Sequence, residues 1–352
     1  MVSGVGSVRL GKLLEFFGKP ENVINAPRTK LMQVLGVGEK IAGQISSLKA
    51  QALAEELRLA KRHNLRIMTC DDDDYPKNLK NIYDPPIVLY LKGELREEDI
   101  FSLSIVGSRR ASFYGREQAE KFSASLAQAG MTVVSGMARG VDTCAHRGAL
   151  KAGGRSIAVI GSGFADLYPP ENSALCEEIA YQGCVVSEFA MRTPPLRENF
   201  PRRNRVVSGL SLGVLVVEAA QNSGALITAD FALERGREVF ALPGRLDAGN
   251  SYGANELIKH GAKLVTSPED ILEEFVPALE AKPPAQQPAP ERITGLSAEE
   301  ERLCGLIRET PLLIDEIAAR AVMGVGRLSA LLLGLQLKKM IKELPGKHFV
   351  KA

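Results

Sequence analysis

Tryptophan is absent from the 352-residue chain, and aromatic residues make up only 5% of it. Stacking on a flat ligand must therefore rest on Phe, Tyr or the planar guanidinium of Arg. Cysteine is sparse. Cys70, Cys144, Cys176, Cys184 and Cys304 stand apart without a C-x-x-C pair. That pattern fits a reducing compartment and argues against a disulfide framework and a metal site. No stretch approaches the roughly 20 apolar residues of a membrane span. Residues 1–6 carry no basic segment ahead of an apolar run, so no export signal is expected and the chain reads as cytoplasmic. Excess charge is missing too: the formal net charge is +2. Any basic patch must be local, balanced by acids such as Asp71 to Asp74 and Glu299 to Glu301.

What is present is enough chain for two or three domains, with a normal apolar fraction of 45%. Residues 1–65 read as small helices. Gly6 to Leu13 imitates a phosphate-binding P-loop, but Leu13 stands where a hydroxyl is needed and no strand precedes it, so a nucleotide role is rejected. Leu35 to Ala42 places a Gly-x-Gly turn between helical patterns. This resembles a helix-hairpin-helix, whose turn amides can meet a DNA phosphate, and equally suits a plain packed corner. Pro76, Pro85 and Pro86 then impose extended or turn backbone, and Ile87 to Leu91 reads as a strand.

From Phe101 onward apolar runs suited to buried strands recur: 103–106, 132–135, 156–160, 184–186, 213–217, 238–242 and 263–265. Helical patterns fill the gaps: 116–129, 143–151, 173–181, 203–208, 225–235, 254–260 and 269–275. Such alternation predicts a doubly wound, mostly parallel α/β sheet, whose ligands bind beyond the carboxyl ends of the strands. The residues at those ends include Gly107, Ser108, Arg109, Gly136, Arg139, Gly161, Ser223 and Gly224. Small residues and helix-start amides in five such loops point to an anionic ligand. Pro, Ala and Gln dominate 277–290, the signature of a linker, taken to run to 296. Beyond it, helices are expected at 298–309, 313–321 and 328–337, with a hairpin within 341–350, as in a winged helix-turn-helix. Leucines crowd its third helix, favouring protein contact or weak DNA contact over base readout.

Five arginines fall between Arg192 and Arg205, with Phe200 among them. Taken alone, that run suits a solvated helix start. Beside the glycine loops it suits a single nucleic-acid strand, with Arg on phosphates and Phe200 under a base. Other candidates are weaker. Gly161-x-Gly163-x-x-Asp166 lacks the third glycine of a dinucleotide fingerprint, so no nicotinamide or flavin cofactor is expected. Cys144 and His146 are two apart on a helix and point to different faces, so His146 reads as packed and Asp142 as a helix cap. Glu218 closes a strand, where it could be catalytic or hold loop amides.

The motifs fall in the order of a known family. They are Ile105 to Arg109, Ser135 to Asp142 with His146, Tyr168 to Asn172, Ser187-Glu188, Asn199 to Arg205, Val217 to Ala219 with Ser223-Gly224, and Leu242 to Gly244. Together they closely resemble the DprA/Smf family of bacterial DNA-processing proteins. The resemblance implies an extended Rossmann-like domain (66–276) between a SAM- or helix-hairpin-helix-like module (1–65) and, past the linker of 277–296, a winged helix (297–352). It further implies a cytoplasmic, non-enzymatic homodimer that binds single-stranded DNA without a cofactor and loads the RecA recombinase in natural transformation. Family DNA contacts carry over to Arg109, Arg197 and Phe200, with Ser108, Gly136, Arg202, Arg203 and Asn204 as neighbours. A rival implication comes from similar domains in nucleotide phosphoribohydrolases, for which Glu218 and Arg109 could serve. Their Gly-Gly-x-Gly-Thr loop is missing, and Asn222 to Leu226 stands there instead.

Overall fold

The structure is a computed structural model that describes residues 2, 4–48, 50–280, 298–307, 312–321, 323, 327–328, 331–332, 335, 340–344 and 348–351. The chain forms two compact units, Met1–Glu280 and Ala281–Ala352.

In the first unit, short helices at Ser7–Phe17, Pro20–Ile24, Arg28–Leu31 and Glu39–Ser46 close around Leu13, Val23, Leu31, Val34, Val37, Ala42 and Ile45. Leu13, at the hydroxyl position of the apparent P-loop, is fully buried here, so that segment is a core helix. The Gly-x-Gly turn forms as expected: Gly36 takes a φ of 90°, which favours glycine, and Gly38 caps the following helix. A longer helix, Ala50–Arg62, sends Ala60 into a cluster with Tyr90, Ala158 and Val185 of the sheet.

The sheet has nine strands: β1 Arg66–Thr69, β2 Val88–Gly93, β3 Ser102–Val106, β4 Thr132–Ser135, β5 Ser156–Val159, β6 Cys184–Ser187, β7 Gly213–Val216, β8 Glu238–Ala241 and β9 Lys263–Leu264. Their order is β1-β2-β6-β5-β4-β3-β7-β8-β9. From β6 to β9 all pairs are parallel, and β1 and β2 add an antiparallel edge. The central strands are buried along their whole length because helices cover both faces, which is why they read as unbroken apolar runs. The order reverses between β3 and β7, so the chain leaves these neighbours in opposite directions and opens a crevice above them.

Two departures from expectation bear on the site and the linker. The helix expected at 203–208 runs from Asn199 to Leu210. Pro201 sits at its third position, where its missing N–H would have had no partner in the helix. The last helix of the unit extends to Glu280, so residues 277–280 are helical where a linker was expected. The rest of that linker, residues 281–296, lies outside the described residues.

The second unit pairs β10 Leu312–Leu313 and β11 Ile341–Leu344 with β12 His348–Lys351 in antiparallel order β10-β12-β11. Helices Ala298–Leu306 and Ile314–Ala321 pack beside it, and Arg327, Leu328, Leu331, Leu332 and Leu335 are helical. This is the expected helices-plus-wing arrangement, with Leu313 in a strand rather than a helix. Leu328, Leu332 and Leu335 enter the core, which accounts for the leucine-rich third helix.

Candidate nucleic-acid interface

The crevice at the reversal of strand order is a groove of about 1070 Å³. Its walls are the loop after β3 (Gly107 to Arg110), the loop after β7 (Ala220 to Gly224) and one face of the helix Asn199–Leu210. That helix explains which arginines reach the groove. Phe200, Arg203, Asn204 and Val207 follow the i, i+3, i+4, i+7 spacing of a single face and all line it. Arg202 and Arg205 fall off that face. Arg202 instead lies over Phe189, 5.4 Å from the ring centroid. Arg205 is buried against Glu188 and pairs with Asp84 at 3.2 Å. Arg202 therefore departs from its expected place by helical phase. Farther upstream, Arg192 pairs with Glu55, while Arg197 is exposed and lines the groove.

Phe200 is held on three sides. The Arg109 guanidinium lies 4.9 Å from its ring centroid, and Tyr168 meets it edge-on at 6.0 Å. Gly161 lies beneath, where a Cβ would come within 2.9 Å of the ring. Gly161 thus makes room for Phe200 and does not line the groove. Arg203, 3% exposed, forms part of the groove floor and donates from Nη1 to the Val159 carbonyl at 2.6 Å. Burial lowers its pKa to about 10, opposed by nearby Asp142, so it stays cationic at neutral pH. Burial also raises the Asp142 carboxyl, offset in part by Arg203. Gly136 is required at this point because a side chain there would collide with both groups.

Several expected groove residues shape its loops. The Ser108 hydroxyl accepts from Arg110 N, Asn204 donates to the Gly224 carbonyl at 3.1 Å, and Ser223 caps the helix Gly224–Leu233 by accepting from Ala225 N. Arg139 does not face the groove. It pairs with Glu171 and lies over the Tyr168 ring at 5.5 Å. Asn172 donates to the Met137 carbonyl at 2.9 Å, anchoring the loop after β4 where Met137 adopts a φ of 59°. The Tyr168 to Asn172 motif is thus a brace for the groove wall. Glu56 supplies another, since its Oε1 accepts from Tyr90 Oη at 2.7 Å and from Met191 N at 2.8 Å, at the head of the segment leading to Arg197.

Glu218 is not among the residues that line the groove. Its carboxylate accepts from Ser112 N at 2.9 Å and from the Ser112 hydroxyl, tying down the start of the helix Phe113–Gln128. His146 is fully buried with Nδ1 2.7 Å from Ser156 Oγ, and burial drives its pKa down to about 3. It is a packed residue, as expected. The helix Val141–Lys151 is capped by Gly140, with Asp142 inside its first turn and accepting from Ala138 N at 3.3 Å.

Thr228, a phosphate candidate beside Ser223-Gly224 in the sequence, lines the groove, as do Arg110 and Asn250, which the sequence did not single out. Arg110 could have been found from its place beside Arg109. Asn250 carries no local signal: it lies in the turn of helix Gly249–Ser251 that follows β8 in the chain and donates to the Arg110 carbonyl at 3.1 Å. Among the described residues no ion pair engages Arg109, Arg110 or Arg197. Three unpaired guanidiniums and one partly open ring therefore share a groove able to take a flexible polyanion with flat bases.

Comparison with known proteins agrees with this architecture. Residues 66–276 match the DNA recombination-mediator protein A family, and residues 283–347 match the DprA winged helix domain. The chain is 35% identical to Protein Smf of Synechocystis sp., covering 99% of this chain and 96% of that one. The crystal structure of DNA processing protein A from Streptococcus pneumoniae superposes with a TM-score of 0.70 at 36% identity, covering 78% of this chain and 95% of that one. DNA processing protein A from Helicobacter pylori, described for its single-stranded DNA binding mode, gives a TM-score of 0.55 at 29% identity, covering 61% of this chain and 98% of that one.

Proposed function

The chain belongs to the DNA recombination-mediator protein A family, and from that premise we propose that its groove holds single-stranded DNA without reading sequence. The observation that carries this reading is the convergence of Arg109, Arg197 and Phe200 on one groove, with both arginines free of ion pairs among the described residues. Arg109, Arg110 and Arg197 neutralise phosphates. Phe200 and the guanidinium stacked on it present a base with an apolar and cationic surface. Arg203 and Asp142 fix the floor, while Gly107, Gly136 and Gly224 let the backbone approach. In this reading the chain works as a homodimer that shields incoming single strands and loads RecA recombinase in natural transformation. The helical module of 1–65 and the winged unit serve as accessory contacts.

A hydrolytic reading would use Glu218 with Arg109. The engagement of the Glu218 carboxylate with Ser112, outside the residues that line the groove, supports the non-enzymatic reading. Two measurements test the pair. Titrating labelled single- and double-stranded oligonucleotides across a salt series should show preference for the single strand. The slope of log affinity should be about −2, from three phosphate contacts at roughly 0.7 each. Equal affinity for duplex would remove the groove reading. Release of free base from a nucleotide, lost in Glu218→Gln, would restore the hydrolase.

A further inference from the structure

Exposed rings flank, along the chain, two residues that line the groove, Arg110 and Asn250. Phe113 is 84% exposed, Tyr114 47% and Tyr252 48%. Single exposed apolar residues are ordinary, but three rings within four residues of groove-lining Arg110 or Asn250 are not scattered along the chain. Phe113 and Tyr114 open the helix Phe113–Gln128, three and four residues after Arg110. Tyr252 opens the helix Tyr252–Lys259, two residues after Asn250. The bond from Asn250 Nδ2 to the Arg110 carbonyl, 3.1 Å, ties the two ring-bearing segments together. Arg110 and Asn250 both line the groove, so both ring-bearing segments start from its wall.

Both segments are anchored from behind. The Glu218 carboxylate holds Ser112, next to Phe113, and Gly253 N donates to the Ala219 carbonyl at 2.7 Å, next to Tyr252. The ring-bearing helix starts are therefore fixed by the residues that close β7, the strand beneath the groove. An anchored backbone at the ring-bearing positions lowers the ordering cost of stacking, and base–aromatic stacking tolerates any sequence.

We propose that Phe113 and Tyr252 form a second base-stacking subsite, which receives the same single strand where it leaves the Phe200 groove past Arg110. The proposal rests on the single-strand reading of that groove. The occupant is a strand because the ring-bearing segments adjoin a cationic groove and Arg110 can hold a phosphate between the two subsites.

The test compares a short oligothymidine of about 4 nucleotides with one of about 16, a span covering known single-strand site sizes. Affinities are measured with the full chain and with the double variant Phe113→Ser, Tyr252→Ser. Both positions are exposed, so folding should be unaffected, and sedimentation checks the oligomeric state. The variant should lose about tenfold or more in affinity for the long oligonucleotide and nothing for the short one. With Tyr252 intact, Phe113→Trp should hold the affinity for the long oligonucleotide and Phe113→Leu should weaken it. Undiminished affinity of the double variant for the long oligonucleotide overturns the subsite. So does equal loss on both lengths, which would place the rings in groove packing, or a loss that tracks dissociation of a dimer. If the unaltered chain binds neither length, the groove reading itself fails. Strong short-oligonucleotide binding with an unaffected long one fails the subsite alone.

Discussion

Arg155 and Arg109 mark opposite ends of the parallel strands. At the amino end, Arg155 precedes β5 and donates from Nε and Nη2 to the two carboxylate oxygens of Asp99, both at 2.9 Å, while the Thr132 hydroxyl donates to the same carboxylate at 2.7 Å. The Arg155 side chain is 15% exposed and that of Asp99 7%. At the carboxyl end, Arg109, Arg110 and Arg197 reach open space with no ion pair among the described residues. A guanidinium matched to a buried carboxylate fastens elements together and has no charge left for a ligand. One held at a groove wall by stacking on Phe200 keeps its charge available. The difference therefore lies in the acids supplied by the chain, and the two ends should answer mutation in different observables.

The largest expected effect is at the closed end. Asp99→Ala leaves Arg155 without its two-pronged partner and should destabilise the first unit by about 3 kcal/mol, read from urea unfolding. DNA affinity of the folded fraction should not change. A lowered affinity at full folding would mean that the two ends are coupled and would undo the comparison.

At the open end, Phe200→Ala should weaken single-strand binding by about 1–3 kcal/mol, with little change in the salt slope. Tyr168 and Arg109 also lose their ring contact, so groove order is tested by the same variant. Unchanged affinity would remove stacking from the account.

His146, packed behind the groove wall, separates stability from binding by pH. Its pKa of about 3 in the folded chain lies below the ordinary 6.5, so the unfolded chain takes up the proton first. Its contribution is whole above pH 6.5 and declines as pH falls towards 3, by up to about 1.4 kcal/mol per pH unit. Comparing unfolding of the unaltered chain and of His146→Gln near pH 7.5 and near pH 5 isolates this from carboxylate titration. An identical pH dependence in both would show that the imidazole is not buried neutral.

Much of the open end was legible in the sequence. Continuous apolar runs fixed the parallel strands, because a strand covered on both faces needs no polar alternation, and the loops at their carboxyl ends followed from topology. β1 escaped notice because it is four residues long and only Met68 is buried. The start of the helix at Asn199 was obscured by Pro201, which looks like a breaker but is tolerated in a first turn. Without that start the helical phase was unknown, and Arg202 could not be told from Arg203. Pairings across long sequence separations, such as Arg139 with Glu171 and Glu218 with Ser112, also left no local pattern. They decided which charged groups are spent on the fold.

Arg197 gives the smallest and sharpest measurement. It lies in the turn before the helix Asn199–Leu210, exposed and without an ion pair among the described residues. Its removal should alter stability by less than about 0.5 kcal/mol. Arg197→Ala should lower affinity and flatten the salt slope by about 0.7, the contribution of one phosphate neutralised on a single strand. Arg202→Ala is the matched control, one helical position off the groove face. It should leave the slope unchanged, because its guanidinium lies over Phe189. If Arg202 flattened the slope as much as Arg197, charge density along the segment rather than helical phase would govern binding, and the open end would be defined by composition instead of geometry.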